Sequence, residues 1–262
     1  MIIDVHTHVF PDSVALKAVP MLAAEAGIQE ALDGRCTSLL NSMQSTGIDV
    51  SWLQPVATKP QQVDPINQWS EEIRSDRLVA FGAFHPGYED LPGLIRRLSE
   101  RGVPGIKIHP EYHAVAPDDE FLFPMYRAVI EAGMVILFHA GEDIGVPTLH
   151  STPRQFAELA DRFPEMTMIL AHLGGFRQWN EVRKHIIGRE VYLDTSYVFG
   201  HLADDEFVDL VRSHGIDRIL FGTDSPWTDQ EKELNHLKQL PFSEDELKRI
   251  CGINAEGLLS ST

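Results

Sequence analysis

Cysteine is nearly absent. Cys36 and Cys251 are the only two in 262 residues. A pair so far apart supplies neither a disulfide framework nor a thiolate zinc site, so both are read as reduced thiols in a reducing compartment. Positive charge is scarce too: 22 Lys and Arg against 39 Asp and Glu leave a formal net charge of -17. Such a chain is a poor partner for nucleic acid or an anionic membrane. No apolar run approaches the ~20 residues that cross a bilayer, and no basic-then-apolar leader opens the sequence. A cytoplasmic protein acting on a small molecule is expected. Low-complexity tracts and long Gly/Ser or Pro-rich linkers are also missing, so residues 1–262 read as one domain. With 43% hydrophobic residues, that domain can bury a large core.

Eight short apolar segments run through the chain: Ile2 to Val5, Val50 to Leu53, Leu78 to Phe84, Gly105 to Ile108, Met134 to Phe138, Thr167 to Ala171, Val191 to Leu193 and Arg218 to Phe221. Helical patterns separate them, for example Leu91, Leu94, Ile95 and Leu98 at helical spacing, closed by Gly102. Two short helices, Glu244 to Cys251 and Asn254 to Leu259, are expected in the tail. Strands that alternate with helices make parallel βαβ units. Eight units in about 250 residues suit an α/β fold of the closed (β/α)8 TIM-barrel type. The alternative is a doubly wound open sheet, which would announce itself by a Gly-rich phosphate loop; neither G-x-G-x-x-G nor a P-loop occurs.

In such a barrel the chemistry sits where the strands end. Those positions hold His6 and His8, His85, Lys107 and His109, His139, His172, Asp194 and Asp224. His6 and His8 are two apart, so both imidazoles can face one point. Two surface histidines are the bland alternative, weakened by the apolar strand that runs straight into them. His113, His150, His185, His201, His214 and His236 fall in helices or loops and are expected to be solvated or capping.

Asp-Val-His-Thr-His at strand one, Phe-His-Ala-Gly at strand five, Ala-His-Leu-Gly-Gly at strand six and Phe-Gly-Thr-Asp-Ser-Pro-Trp at strand eight resemble the amidohydrolase superfamily. The match is to its amidohydrolase-related branch of metal-dependent hydrolases, which also includes decarboxylases. The resemblance implies that His6, His8 and His139 bind a metal and that Asp224 is the carboxylate ligand or the proton acceptor. It gives His172 as a ligand to a second metal or as a base over the substrate. Residue chemistry agrees: a divalent ion among imidazoles lowers the pKa of a bound water to about 7, and Asp224 or His172 takes its proton. Asp224 could instead cap the following helix, since Thr-Asp-Ser-Pro is good capping chemistry. Asp194 is expected to be a buried hydrogen-bonding partner of a neighbouring strand end.

Strand four departs from the patterns of related enzymes, where a Glu or a carboxylated Lys bridges two metals. Here Lys107 and His109 share a face, and both are expected to meet the substrate; the alternatives are a carboxylated Lys107 that bridges two metals and a lysine paired with a nearby carboxylate. Arg177 and Trp227 lie in loops that could face the substrate, or serve as a surface arginine and a packing tryptophan. One metal is favoured, zinc before manganese. The main expectation is a hydrolase of a small amide, ester or lactone. The alternative is a nonhydrolytic decarboxylase or hydratase of a small carboxylic acid. A homodimer is expected from the resemblance alone.

Overall fold

The computed structural model describes residues 1–260 and places the expected apolar segments in nine parallel strands. These are β1 (Ile3–Thr7), β2 (Val50–Leu53), β3 (Leu78–Ala80), β4 (Gly82–Ala83), β5 (Gly105–Ile108), β6 (Val135–Phe138), β7 (Met168–Leu170), β8 (Tyr192–Asp194) and β9 (Ile219–Leu220). They pair in chain order, β1-β2-β3 and then β4 through β9. The expected third strand, Leu78 to Phe84, is split. Its first half pairs with β2 and its second with β5, with the break at Phe81. Gly82 starts the second half, where a side chain would strike Leu98 at 2.6 Å. Closure is made by backbone bonds outside the ladders. Val5 N–H donates to Phe221 O at 2.9 Å, His8 N–H to Ser225 O at 2.6 Å, and Phe81 N–H to Leu53 O at 3.0 Å. An open doubly wound sheet would leave those groups on free edges. The architecture is therefore a (β/α)8 barrel with one strand in two pieces.

Among the described residues twelve α-helices accompany the strands: α1 (Asp12–Ala26), α2 (Cys36–Thr46), α3 (Val63–Glu72), α4 (Leu91–Glu100), α5 (Pro110–His113), α6 (Phe123–Glu131), α7 (Pro153–Arg162), α8 (Trp179–His185), α9 (Asp204–His214), α10 (Gln230–Gln239), α11 (Glu244–Lys248) and α12 (Asn254–Ser260). The α10 helix is absent from the sequence-based expectation because only Leu234 and Leu237 in it are apolar. It starts at Asp229, whose carboxylate accepts the amides of Glu231 and Lys232. The tail helix expected to reach Cys251 ends at Lys248. A wider turn, Arg249–Ile253, follows, and Ile250 O in it accepts from Phe221 N–H at 2.9 Å.

The sheet divides the core into two layers. Ile3, Val5, Trp52, Leu137, Ile169 and Leu220 fill the barrel, and Ala255 and Leu258 of α12 pack under them. Alternate strand residues, such as Ile136, Phe138 and Leu170, face the helices. Each such buried side chain is worth roughly 1.5–3 kcal/mol. The polar strand ends are thus carried on a rigid frame. Among the described residues no helix is long and apolar enough to cross a membrane.

Candidate active site

Strand β1 carries the first pair by breaking its own alternation. Asp4 pairs with Ser51 and Thr7 with Leu53, so three steps along β1 pass against two along β2. Val5 packs inside the barrel, and strict alternation would turn His6 outward. The extra residue lets His6 face inward directly after Val5. Asp4, on the outer side, accepts from the His6 amide at 3.2 Å. It also accepts from Thr223 Oγ1 at 2.6 Å and Gln230 Nε2 at 2.7 Å. Burial nonetheless pushes the Asp4 carboxyl up to about 7, against the pull of those bonds.

His6 is fixed at both nitrogens. Nδ1 lies 2.9 Å from Asp194 Oδ2, a carboxylate that can only accept, so Nδ1 carries the hydrogen. Nε2 therefore offers its lone pair to the cavity, 3.0 Å from Lys107 Nζ and 3.5 Å from Asp224 Oδ1. His8 Nε2 is 3.1 Å from the same Asp224 oxygen. Burial, then the Lys107 charge, push His6 down to about 4, so it is neutral at pH 7. Burial opposes ionisation of Asp194 and Asp224, but His6 and its neighbours outweigh it and hold both carboxyls below their ordinary value.

Two of these strand ends are strained. His172 and Asp224 have φ of 57° and 68°, left-handed for residues with a side chain. Such conformations cost on the order of 1–3 kcal/mol each and persist where neighbours over-determine them. The His172 amide donates to Asp194 Oδ1 at 3.0 Å, and the Asp224 amide to His6 O at 2.8 Å. Asp194 thus joins the ends of β1, β7 and β8. The Asp224 side chain caps no helix; Asp229 does that for α10.

Lys107 is fully buried with its ammonium in the cavity, and burial pushes it down to about 8 against the pull of Asp224 and Asp194. His109 shares that face. His139 does not cluster with His6 and His8. Its group is His109 and Asp143, with the His109 and His139 rings stacked 4.1 Å apart. Its Nδ1 lies 3.0 Å from His172 Nε2. Burial, then neighbouring cationic or imidazole groups, hold His109 and His139 well below the ordinary histidine value.

These groups share one cavity of about 610 Å³, with Trp227 on its wall. Arg177 is outside that lining; its guanidinium is exposed, 3.8 Å from Glu142. His85 is also outside, its Nδ1 accepting from the Gly87 amide at 3.0 Å. Two histidines expected to be solvated or capping are instead buried: His113 reaches Ala57 O at 3.1 Å and His214 reaches Val191 O at 2.8 Å. Buried carbonyls needing a donor explain both. Ser196, Glu111 and Asp143 were not anticipated. Glu111 and Asp143 lie within five residues of a strand end, in Ile-His-Pro-Glu and His-Ala-Gly-Glu-Asp, which was the available signal. Gly141 positions the latter loop: its φ is 90°, and a side chain there would strike Phe176 N at 2.3 Å.

The donor chemistry at His6, His8 and Asp224 fits a divalent cation. Their ligand atoms lie within 4.8 Å of one another, Asp224 is held ionised, and His6 turns its lone pair to the cavity, toward the Lys107 ammonium, with its other N–H on a carboxylate. The fold and this site define a (β/α)8 barrel with a metal-type cluster at its mouth. The chain belongs to the amidohydrolase family, whose model matches residues 3–260. No curated protein sequence matches it. Among solved structures, a 5-carboxyvanillate decarboxylase from Sphingomonas paucimobilis is 16% identical, with a TM-score of 0.74 over 100% of this chain and 99% of that one. A dihydroxybenzoic acid decarboxylase from Polaromonas, with bound manganese and 2-nitroresorcinol, is 18% identical, with a TM-score of 0.71 over 99% and 96%. A 4-oxalomesaconate hydratase from Rhodopseudomonas palustris is 16% identical, with a TM-score of 0.66 over 100% and 96%. These neighbours correct the main expectation from sequence. Hydrolysis of an amide, ester or lactone gives way to the nonhydrolytic alternative, because these neighbours are decarboxylases and a hydratase. The ligand set could not have made that choice, since both chemistries use the same donors.

Proposed function

We propose that the protein is a divalent-metal-dependent lyase that decarboxylates a small hydroxy-aromatic carboxylic acid. The observation that carries this reading is the contrast inside one cavity. Lys107, His6, His8 and Asp224 gather at its base, while Phe10, Val56, Ile66, Trp69 and Phe176 line the walls. A flat apolar ring with a carboxylate at one edge suits that division. The neighbours support the substrate class. The manganese of the Polaromonas decarboxylase makes Mn²⁺, beside the zinc expected from the ligand types, the ion to test first.

The ion, held by His6, His8 and Asp224, would supply positive charge for the substrate's carboxylate and ring oxygen. The chain's own groups do the rest. The Lys107 ammonium pairs with the carboxylate. Apolar walls exclude water and favour neutral carbon dioxide over the anion. Asp224, held ionised, accepts the proton of the ring hydroxyl and returns it to the carbon that bore the carboxylate. The bond from that carbon to the carboxyl carbon breaks, and its electron pair becomes the new C–H bond.

The test is carbon dioxide release from hydroxybenzoic acids by the Mn²⁺- and Zn²⁺-loaded protein. Release that disappears in His6→Ala supports the proposal. No release from any aromatic or unsaturated acid, with acid release from a lactone, would overturn it.

A further inference from the structure

Helix α1 has two apolar faces, and the fold uses only one of them. Ala15, Val19 and Ala23 repeat every fourth residue and are buried. Gly34 leaves the room for this face, since a Cβ there would strike Val19 at 2.5 Å. Val14, Ala18, Met21 and Leu22 recur at helical spacing on a second face, and all four line the cavity. A surface helix ordinarily keeps its second face polar. Here Val14 and Met21 are still 44% and 54% exposed. The segment is held at both ends: Phe10 N–H donates to Gly34 O at 2.8 Å, and Ala31 N–H to Pro226 O at 2.8 Å, just past Asp224. Helix α3 adds Pro65, Ile66 and Trp69 to the same lining.

Charge is confined to the other end of this cavity. Every acidic or basic side chain in the lining comes from the ends of β1, β5, β6, β7 and β9 or from the loops directly after them. Helix α1 carries Asp12, Lys17 and Glu25, and α3 carries Asp64, Glu71 and Glu72, yet none of these lines the cavity. Asp64 is turned to the Tyr88 hydroxyl at 2.8 Å. The arm formed by the two helices is therefore apolar and uncharged, and it is continuous with the site that holds the acid.

Size makes the arm part of the substrate site. A hydroxybenzoic acid of about ten non-hydrogen atoms fills on the order of 150–200 Å³ at interior packing density, and the cavity holds about 610 Å³. With the carboxylate at Lys107, the far edge of the ring looks toward α1 and α3, and most of the space is left beyond it.

We propose that the substrate carries an uncharged hydrocarbon substituent on its ring, seated in the arm formed by α1 and α3. The ring acid itself rests on the lyase reading; the arm does not. A phosphate, ammonium or second carboxylate would give up its water there with no partner to replace it. A hydrocarbon gains instead, about fourfold in affinity for each methylene removed from water. Val14, Ala18, Met21 and Leu22 then set how long a substituent is accepted.

The test is calorimetric titration of the Mn²⁺-loaded full-length protein with phenol, 3-propylphenol and 3-pentylphenol. These are what remains when carbon dioxide leaves the corresponding 4-alkyl-2-hydroxybenzoic acids, whose turnover is followed in parallel. Affinity should rise on the order of 10²-fold from phenol to 3-pentylphenol, with kcat/KM of the acids rising in step. Ala18→Phe, which adds a ring on the cavity face of α1, should cut that gain to below tenfold. Met21→Glu, at a position exposed enough to tolerate the change, should cut it about tenfold and decides the matter if Ala18→Phe does not fold. A gain below twofold in wild type, with the acids still turned over, overturns the proposal and leaves the lyase reading standing. A gain that survives in the folded variants places the substituent elsewhere and also overturns it. A dimer that Met21→Glu dissociates, with no gain from the alkyl group, gives this face to a second copy of the chain and overturns it too. A gain lost in the variants without turnover of any acid supports the arm and removes the lyase reading.

Discussion

The ammonium of Lys107 lies 3.0 Å from Nε2 of His6, the nitrogen whose lone pair a metal would need. A buried cation thus occupies the approach to the first metal ligand, and the two positive charges compete for one lone pair. Lys107→Met keeps the side chain as far as the Cε position and removes the ammonium with its charge. Divalent-ion affinity should rise by about tenfold or more, read by isothermal titration, because a competing donor is gone. Turnover should fall by about 10²-fold, because the partner of the substrate carboxylate is gone too. A variant with unchanged affinity and full turnover would remove Lys107 from both roles.

Asp194 should matter to metal binding without touching the ion. Its Oδ2 holds the hydrogen on His6 Nδ1, and Oδ1 accepts the amides of His172 and Ser196 at 3.0 Å each. Asp194→Asn replaces one oxygen by a donor that opposes one of these partners. Metal affinity is expected to drop 10–100-fold while the barrel stays folded. Competition with a chromophoric chelator measures the first, and a thermal melt the second.

Glu233 gives a stability signature that is separate from activity. Burial, then the nearby Asp4 and Asp224 charges, push its carboxyl up to about 8, and its Oε2 has no partner. The folded value is raised above the unfolded one, so this group's contribution is fully present below about pH 4.5. It is lost as pH rises toward 8, where the unfolded chain has released a proton that the native one retains. Glu233→Gln should remove that loss. The gain over wild type should be small at pH 4.5 and reach the order of 1–3 kcal/mol at pH 8, measured by denaturant unfolding at both pH values. Equal gains at the two would show that Glu233 does not titrate as its surroundings demand.

Much of this was legible from residues whose neighbours are close in sequence. Ile3 and Val5 run into His6 and His8, Ile106 and Ile108 flank Lys107, and Phe138 and Ala171 precede His139 and His172; in each case an apolar strand simply ends in a polar group. What was hidden depends on contacts far along the chain. The irregularity in β1 that turns His6 inward depends on the register against Ser51 and Leu53. The bond from His6 to Asp194 spans 188 positions. The α10 helix was obscured because its buried face includes Gln230 and Glu233, polar residues; Gln230 suits its site only once Asp4 lies beside it to accept its amide. Arg177, close to His172 in sequence, was open to either a substrate-facing or a surface role; its guanidinium is exposed beside Glu142 and outside the cavity lining. The choice between hydrolase and lyase was beyond the motifs, because both chemistries use the same donors; the solved neighbours supplied it.

Asp224 and Asp229 provide a paired test of the proton carrier. Both are aspartates in the stretch after β9, and sequence alone allows either to cap the next helix. In the structure Asp229 accepts two amides at the start of α10, while Asp224 Oδ1 lies 3.1 Å from His8 Nε2. Asp229→Ala should therefore cost about 1 kcal/mol of stability and leave the rate nearly unchanged. Asp224→Asn keeps the size and one oxygen but cannot cycle a proton as a carboxylate. It should fold nearly as well as wild type and bind the metal more weakly. With metal supplied in excess, it should still lose on the order of 10²-fold or more in rate, the scale expected for a lost general acid–base group. Full activity in metal-loaded Asp224→Asn would move the proton-carrying role to His172, whose Nε2 faces His139 in the same cavity.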